Sequence, residues 1–176
     1  MRNVAVESLN KIKKAVPAIE NKVKIKLVVS SKSSVVGIKG GELNEYLVEK
    51  VLRAVDFGFD VDDALLLMGE DFVLEFVGVK EHTHRKKLSD VRARLIGTGG
   101  KAKRAIENLT GAVIVVSGNR VGVIVDAEHL DTTVQAIESL IQGAKHGNVF
   151  ARLEKQNANR GRFDNEDLGL KLVSSL

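Results

Sequence analysis

The chain of 176 residues has no cysteine, no tryptophan, a single proline, a single tyrosine and four histidines. Without cysteine there are no disulfides, no thiolate zinc sites and no thiol nucleophile, and so few histidines leave most metal and triad chemistry without its usual residues. No cofactor and no bound metal are expected, and an enzyme is the weaker expectation. No apolar run approaches the roughly 20 residues that cross a bilayer, and Met1 to Asn10 carries no apolar signal-peptide core, so a soluble cytoplasmic protein is expected. A charged fraction of 28% and a hydrophobic fraction of 44% suit a chain with short loops and a core of useful size.

Charge is distributed in blocks. Residues 1–39 hold nine Lys/Arg against two Asp/Glu, residues 40–79 two against ten, and residues 80–120 ten against three. Residues 121–176 hold six against eight, so a net charge of +4 conceals two basic blocks around an acidic one. Basic blocks of this kind suit a polyanion, because each neutralised phosphate releases condensed counterions.

Hydrophobic periodicity sets the order of elements. Val6, Leu9, Ile12, Val16 and Ile19 recur at helical spacing, and Pro17 should kink or end that helix near Val16. Lys22 to Val29 alternates as a half-buried strand, Val35 to Lys39 is a second strand, and Leu43, Leu47, Val51 and Ala54 mark a helix. Nothing in Met1 to Ala5 reads as a strand. Asp60 caps a short helix to Met68; the Asp60, Asp62 and Asp63 group reads as capping rather than as a calcium loop. Phe72 to Val79 is a strand, and Ser89 is an N-cap for a helix through Ile96. Lys101 to Thr110 is a helix, Ala112 to Ser117 and Arg120 to Val125 are strands about the turn Gly118-Asn119, and Leu130 to Ile141 is a closing helix. Matching helix-strand-strand-helix units beginning near residues 5 and 101 suggest two related domains, the first lacking its front end.

The informative segment runs from Arg92 to Gly111, RARLIGTGGKAKRAIENLTG. Gly97, Gly99 and Gly100 miss the dinucleotide-binding spacing, and the loop follows a helix rather than a strand. It is not a P-loop either, since Gly100-Lys101 is followed by Ala102 where a magnesium-holding hydroxyl would stand. What remains is Gly97-Thr98-Gly99-Gly100 between two short helices, which resembles the GxxG loop of the KH domain, a single-stranded nucleic-acid reader. Three segments, FVLEFVGVK from Phe72, RLIGTGGKAKRAIENLTG from Arg94 and IESLIQGAKHGNVFAR from Ile137, narrow this to a resemblance to the partner-of-Nob-one family of pre-ribosomal small-subunit proteins.

The resemblance implies an α+β fold of two tandem type I KH domains, each a three-stranded sheet packed against helices. The first, residues 1–69, is incomplete or degenerate; the second, 70–155, carries the RNA-binding loop; 156–176 form a polar tail, whose part after the glycine-punctuated Asn157 to Phe163 is expected to be mobile until a partner binds it. It further implies a monomeric, non-enzymatic factor that binds the 3' region of small-subunit rRNA and positions it for a processing endonuclease of the Nob-one type. A general KH adaptor in mRNA decay or translation is the alternative.

Physical roles follow within that frame. Backbone N–H groups around Gly97, Thr98, Gly99 and Gly100, at the start of the second helix, should face phosphates, with the helix dipole adding to them. Lys101, Lys103, Arg104 and Arg94 supply cations, and Ile96, Ala105 and one of Ile114 or Val116 form an apolar floor for bases. No aromatic residue lies near the loop in sequence, so ring stacking is expected to contribute little. His82-Thr83-His84 reads as a solvated link rather than a metal site, and Arg85-Lys86-Lys87 as either an RNA-tracking extension or a solvated linker.

Overall fold

The structure is a computed structural model that describes residues 1–173. Its secondary structure is α+β, with two antiparallel three-stranded sheets. In the first, β1 (Arg2–Ala5) and β2 (Lys26–Ser30) both pair with β3 (Val35–Lys39). In the second, β4 (Phe72–Gly78) and β5 (Val113–Ser117) both pair with β6 (Arg120–Asp126). The helices are α1 (Leu9–Val23), α2 (Glu42–Phe57), α3 (Val61–Ala64), α4 (Leu88–Ile96), α5 (Lys101–Thr110), α6 (Leu130–Gln142) and α7 (His146–Val173).

Two compact units divide the chain. The first takes Met1–Gly78 and Ala112–Leu130. Its core gathers Ile12, Ala15 and Ile19 of α1, Val36 and Ile38 of β3, Val48, Val51, Leu52 and Val55 of α2, and Ile124 of β6. Phe72 and Leu74 of β4 and Val113 and Val115 of β5 pack against that core, so this compact unit extends past residue 69. Gly122 of β6 leaves room for two rings, since a Cβ there would stand 2.7 Å from both Phe57 and Phe59. The second unit takes Val79–Gly111 and the chain from Asp131 on. Its buried residues include Val91 and Leu95 of α4, Ala102 and Ile106 of α5, Ile137, Leu140 and Ile141 of α6, and Val149 and Leu153 of α7.

Several local expectations change. Arg2–Ala5 is a strand after all: only Val4 of the four is buried, and the segment is extended because it pairs residue for residue with β3, Arg2 opposite Ile38 through Ala5 opposite Val35. Pro17 does not end α1. Ile12, Ala15 and Ile19 are completely buried on one stripe that spans it, while Pro17 faces solvent. A proline in a helix interior costs about 3 kcal/mol or more, and each buried aliphatic side chain returns about 1.5–3 kcal/mol. The helix then continues to Val23 and stops at Lys24 in the left-handed conformation (φ 52°), so the strand expected from Lys22 begins at Lys26. Asp60 occupies the N-cap position of α3 without a capping hydrogen bond from its side chain, and α4 starts one residue before Ser89. The tail read as mobile is helical to Val173, continuing a helix anchored by Val149 and Leu153; Ser174 to Leu176 lie outside the described residues.

Candidate nucleic-acid interface

The site begins where α4 must turn into α5 within four residues. Gly97 closes α4 by donating its N–H to the Ala93 carbonyl at 2.8 Å, and Gly100 donates to Gly97 at 3.1 Å. Three glycines take positive φ: Gly97 at 73°, Gly99 at 60° and Gly100 at 76°. Their reasons differ. A Cβ on Gly97 would meet the Ala102 Cβ at 2.7 Å and its backbone nitrogen at 2.8 Å, so Gly97 lets the two helices close on each other. A Cβ on Gly99 would meet nothing within 4 Å, so that position leaves its peptide open to an approaching ligand. α5 follows at once, with the Lys101 N–H already donated to the Thr98 carbonyl, and its first turn carries the positive end of its dipole.

The expected cations do not act alike. Lys101 is exposed at the first position of α5. Arg104 folds back onto the loop, donating Nε to the Gly100 carbonyl at 3.4 Å and Nη2 to that of Gly99. Lys103 is paired with Glu107 one turn on, at 3.0 Å. Arg94 is half-buried and structural: Nε donates to the Leu140 carbonyl at 3.2 Å, Nη2 donates to Ala144, and the Arg94 carbonyl accepts from His146 Nε2 at 2.9 Å. This bracket ties α4 to the end of α6 and the start of α7.

A cavity of about 600 Å³ opens beside the loop, lined by Ala93, Arg94, Gly97, Thr98, Lys101, Ala102, Ala105, His146 and Phe150. Of the expected site residues it gathers Arg94, Gly97, Thr98, Lys101 and Ala105. It does not include Ile96, Gly99, Gly100, Lys103, Arg104, Ile114 or Val116. At about 100° per residue, Lys101 and Ala105 face one flank of α5 and Lys103 and Glu107 the other, with the buried Ala102, Ile106 and Thr110 between. Ile96 is exposed to 37% and lies outside the cavity that Ala105 lines. Ile114 is buried and Val116 half-buried, on the face of β5 opposite Val113 and Val115.

His146 and Phe150 correct the expectation of a loop without aromatic neighbours. Their ring centroids lie 6.0 Å apart with an interplanar angle of 59°, one turn apart at the start of α7. They are more than forty residues from the glycines in sequence. The available signal was the GNVF at residues 147–150, preceded by His146, where aromatic residues stand at helical spacing. His82 Nε2 lies 3.5 Å from a carboxylate oxygen of Glu138, and among the described residues no three His, Asp or Glu side chains converge as a metal site. Among those residues no helix is long and apolar enough to cross a membrane.

With this geometry in place, comparison with known proteins is informative. Residues 73–158 match the family described as a eukaryotic-type KH domain (KH-domain type I), in the class of the second KH domain of Pno1. Residues 73–158 are thus a type I KH domain of the kind that stands second in Pno1. A KH domain-containing protein of Methanocaldococcus jannaschii is 33% identical over 117 residues, covering 65% of this chain and 52% of that protein. The pre-rRNA-processing protein pno1 of Aspergillus fumigatus is 35% identical over 111 residues, covering 61% of this chain and 44% of that protein. The chain thus spans about half the length of these curated relatives. Among solved structures, a protein of unknown function from Aeropyrum pernix superposes with a TM-score of 0.86 at 26% identity, over 97% of each chain. A chain of the a/eIF2alpha–aDim2p–rRNA complex from Pyrococcus horikoshii superposes with a TM-score of 0.78 at 25% identity, covering 90% of this chain and 94% of that one.

Proposed function

We propose that this chain is a Pno1-family, non-enzymatic, single-stranded-RNA-binding factor of small-subunit assembly. It holds the 3' region of small-subunit rRNA during 3'-end maturation and positions it for a Nob-one-type endonuclease. On this reading its two sheets belong to two tandem type I KH domains, residues 1–69 and 70–155. The first is reduced: a single helix, α1, stands between β1 and β2, where the second has the pair α4 and α5 around a GxxG loop.

One observation carries the reading. The Gly97–Gly100 loop sets three positive-φ glycines at the head of α5, beside a cavity lined by Lys101 and Arg94 and by no carboxylate. Backbone N–H groups, a helix N-terminus and a cation without a competing anion suit a phosphodiester backbone. Two further facts support it: curated relatives are named as pre-rRNA-processing proteins, and a solved relative lies in a complex that includes rRNA.

The test is fluorescence anisotropy with a short oligonucleotide from the small-subunit rRNA 3' end. Thr98→Asp combined with Gly99→Asp places two carboxylates where phosphates must approach, and should remove most of the affinity while circular dichroism stays native. Wild-type affinity in the folded double variant overturns the reading. A pull-down with the endonuclease tests that partner, and sedimentation tests the monomeric state.

A further inference from the structure

We infer that the cavity between the glycine loop and α7 is a base pocket, in which one unstacked nucleobase of the bound strand lies against Phe150 while its phosphate sits at Lys101. The inference rests on the RNA-binding reading above and assigns that site a subsite on a flank the sequence did not indicate.

The shape comes first. At about 600 Å³ the cavity falls in the size range of small-molecule sites. Its walls combine small and flat side chains: Ala93, Ala102 and Ala105 leave space that larger side chains would fill, and Phe150 and His146 supply ring surface. Such a space suits a planar aromatic heterocycle.

Charge then selects the kind of heterocycle. Lys101 and Thr98 stand at the cavity, and the lining contains no Asp or Glu, so a group carrying an anion is favoured there. Thr98 belongs to the loop whose glycines admit a backbone, and Lys101 follows it at the head of α5. A nucleotide satisfies both halves at once, with phosphate on the loop and base against the ring. Base-on-aromatic stacking tolerates any base, because each presents a π-face.

The pocket is also held open by construction. Arg94 is engaged by the carbonyls of Leu140 and Ala144, and His146 by the carbonyl of Arg94, which fixes the wall that carries the rings. Asn157 Nδ2 donates to the Leu109 carbonyl, pinning α7 along α5 about two turns beyond Phe150. The ring is therefore placed before any ligand arrives, and little ordering entropy is lost on binding.

The experiment is ultraviolet crosslinking of the wild-type full chain to the rRNA 3'-end oligonucleotide, with the crosslinked residue mapped by mass spectrometry, alongside anisotropy of Phe150→Leu and Phe150→Tyr. The expected result is a crosslink at Phe150, an affinity about tenfold weaker in Phe150→Leu with unchanged salt slope, and near-wild-type affinity in Phe150→Tyr. The crosslink is read on wild-type protein, so a poorly folded variant does not remove the test. Crosslinks confined to other residues, with Phe150→Leu binding normally and Thr98→Asp/Gly99→Asp not binding, would overturn the pocket and leave RNA binding standing. Normal RNA affinity in the double-aspartate variant would overturn both. Equal crosslinking of free AMP at the same concentration would assign the cavity to a free nucleotide, and a partner protein's side chain protecting Phe150 in place of RNA would assign it to that protein; either overturns the inference.

Discussion

Glycines of one loop differ in what they permit, and substitutions should separate them. Gly97→Ala meets both a positive φ and an Ala102 contact at 2.7 Å, so it should cost about 2–4 kcal/mol. Gly99→Ala meets only the conformational cost, with nothing within 4 Å, and should lose about 1–2 kcal/mol. Urea denaturation of the two variants checks the order, and equal losses would contradict the packing role of Gly97. The cations separate in the same way. Lys101→Ala should weaken RNA binding across sequences and lower the salt slope by about one ion. Lys39→Ala, on a unit without a glycine loop, should do neither; anisotropy at several salt concentrations is the measurement.

Between elements, Arg94 joins three helices through carbonyls rather than through a carboxylate. Arg94→Ala strands half-buried carbonyls at the end of α6 and should destabilise by about 1–3 kcal/mol, read as a fall in Tm without RNA present. An unchanged Tm would return Arg94 to the RNA-contacting role expected of it from the sequence.

The same elements show what the sequence discloses. α5, β3 and the glycine loop are legible because their signals are local: a 3.6-residue period between glycines, a short β-branched run, and residues that allow left-handed backbone. β1 and the passage of α1 through Pro17 are not, because each is decided by partners distant in sequence, the edge of β3 for one and the shared core for the other. The site divides along the same line. Gly97, Thr98 and Lys101 are readable from spacing alone, whereas Phe150 reaches the loop only because Val149 and Leu153 seat α7 in the second core.

At the scale of the whole molecule, acidity should act through the carboxylates of α2. Glu49 accepts from Arg2 at 2.5 Å and from Arg53 at 2.6 Å, and the Arg2 bond is the main reason its carboxyl lies below the ordinary 4.5. Glu45 is buried and lies below that value chiefly because it accepts the Gly40 N–H at 3.1 Å. A carboxylate with a depressed folded-state pKa contributes stability that is fully present above the unfolded value and is lost as pH falls through the folded one. The urea midpoint should therefore fall as pH drops from about 5 to about 3, and Glu49→Gln should flatten that fall. A wild-type and variant pair with parallel pH profiles would contradict it.

The division of the chain into units has a consequence for its birth on the ribosome. Chain leaves the first unit at Gly78 and rejoins it only at Ala112, and Ile124, Val113 and Val115 complete a core begun by α1 and α2. During translation the amino-terminal apolar surface therefore waits, incompletely covered, until residues near 124 have emerged. Arrested nascent chains whose emerged portion ends before Ala112 should be the ones that recruit chaperones, and those whose emerged portion extends past Leu130 should not.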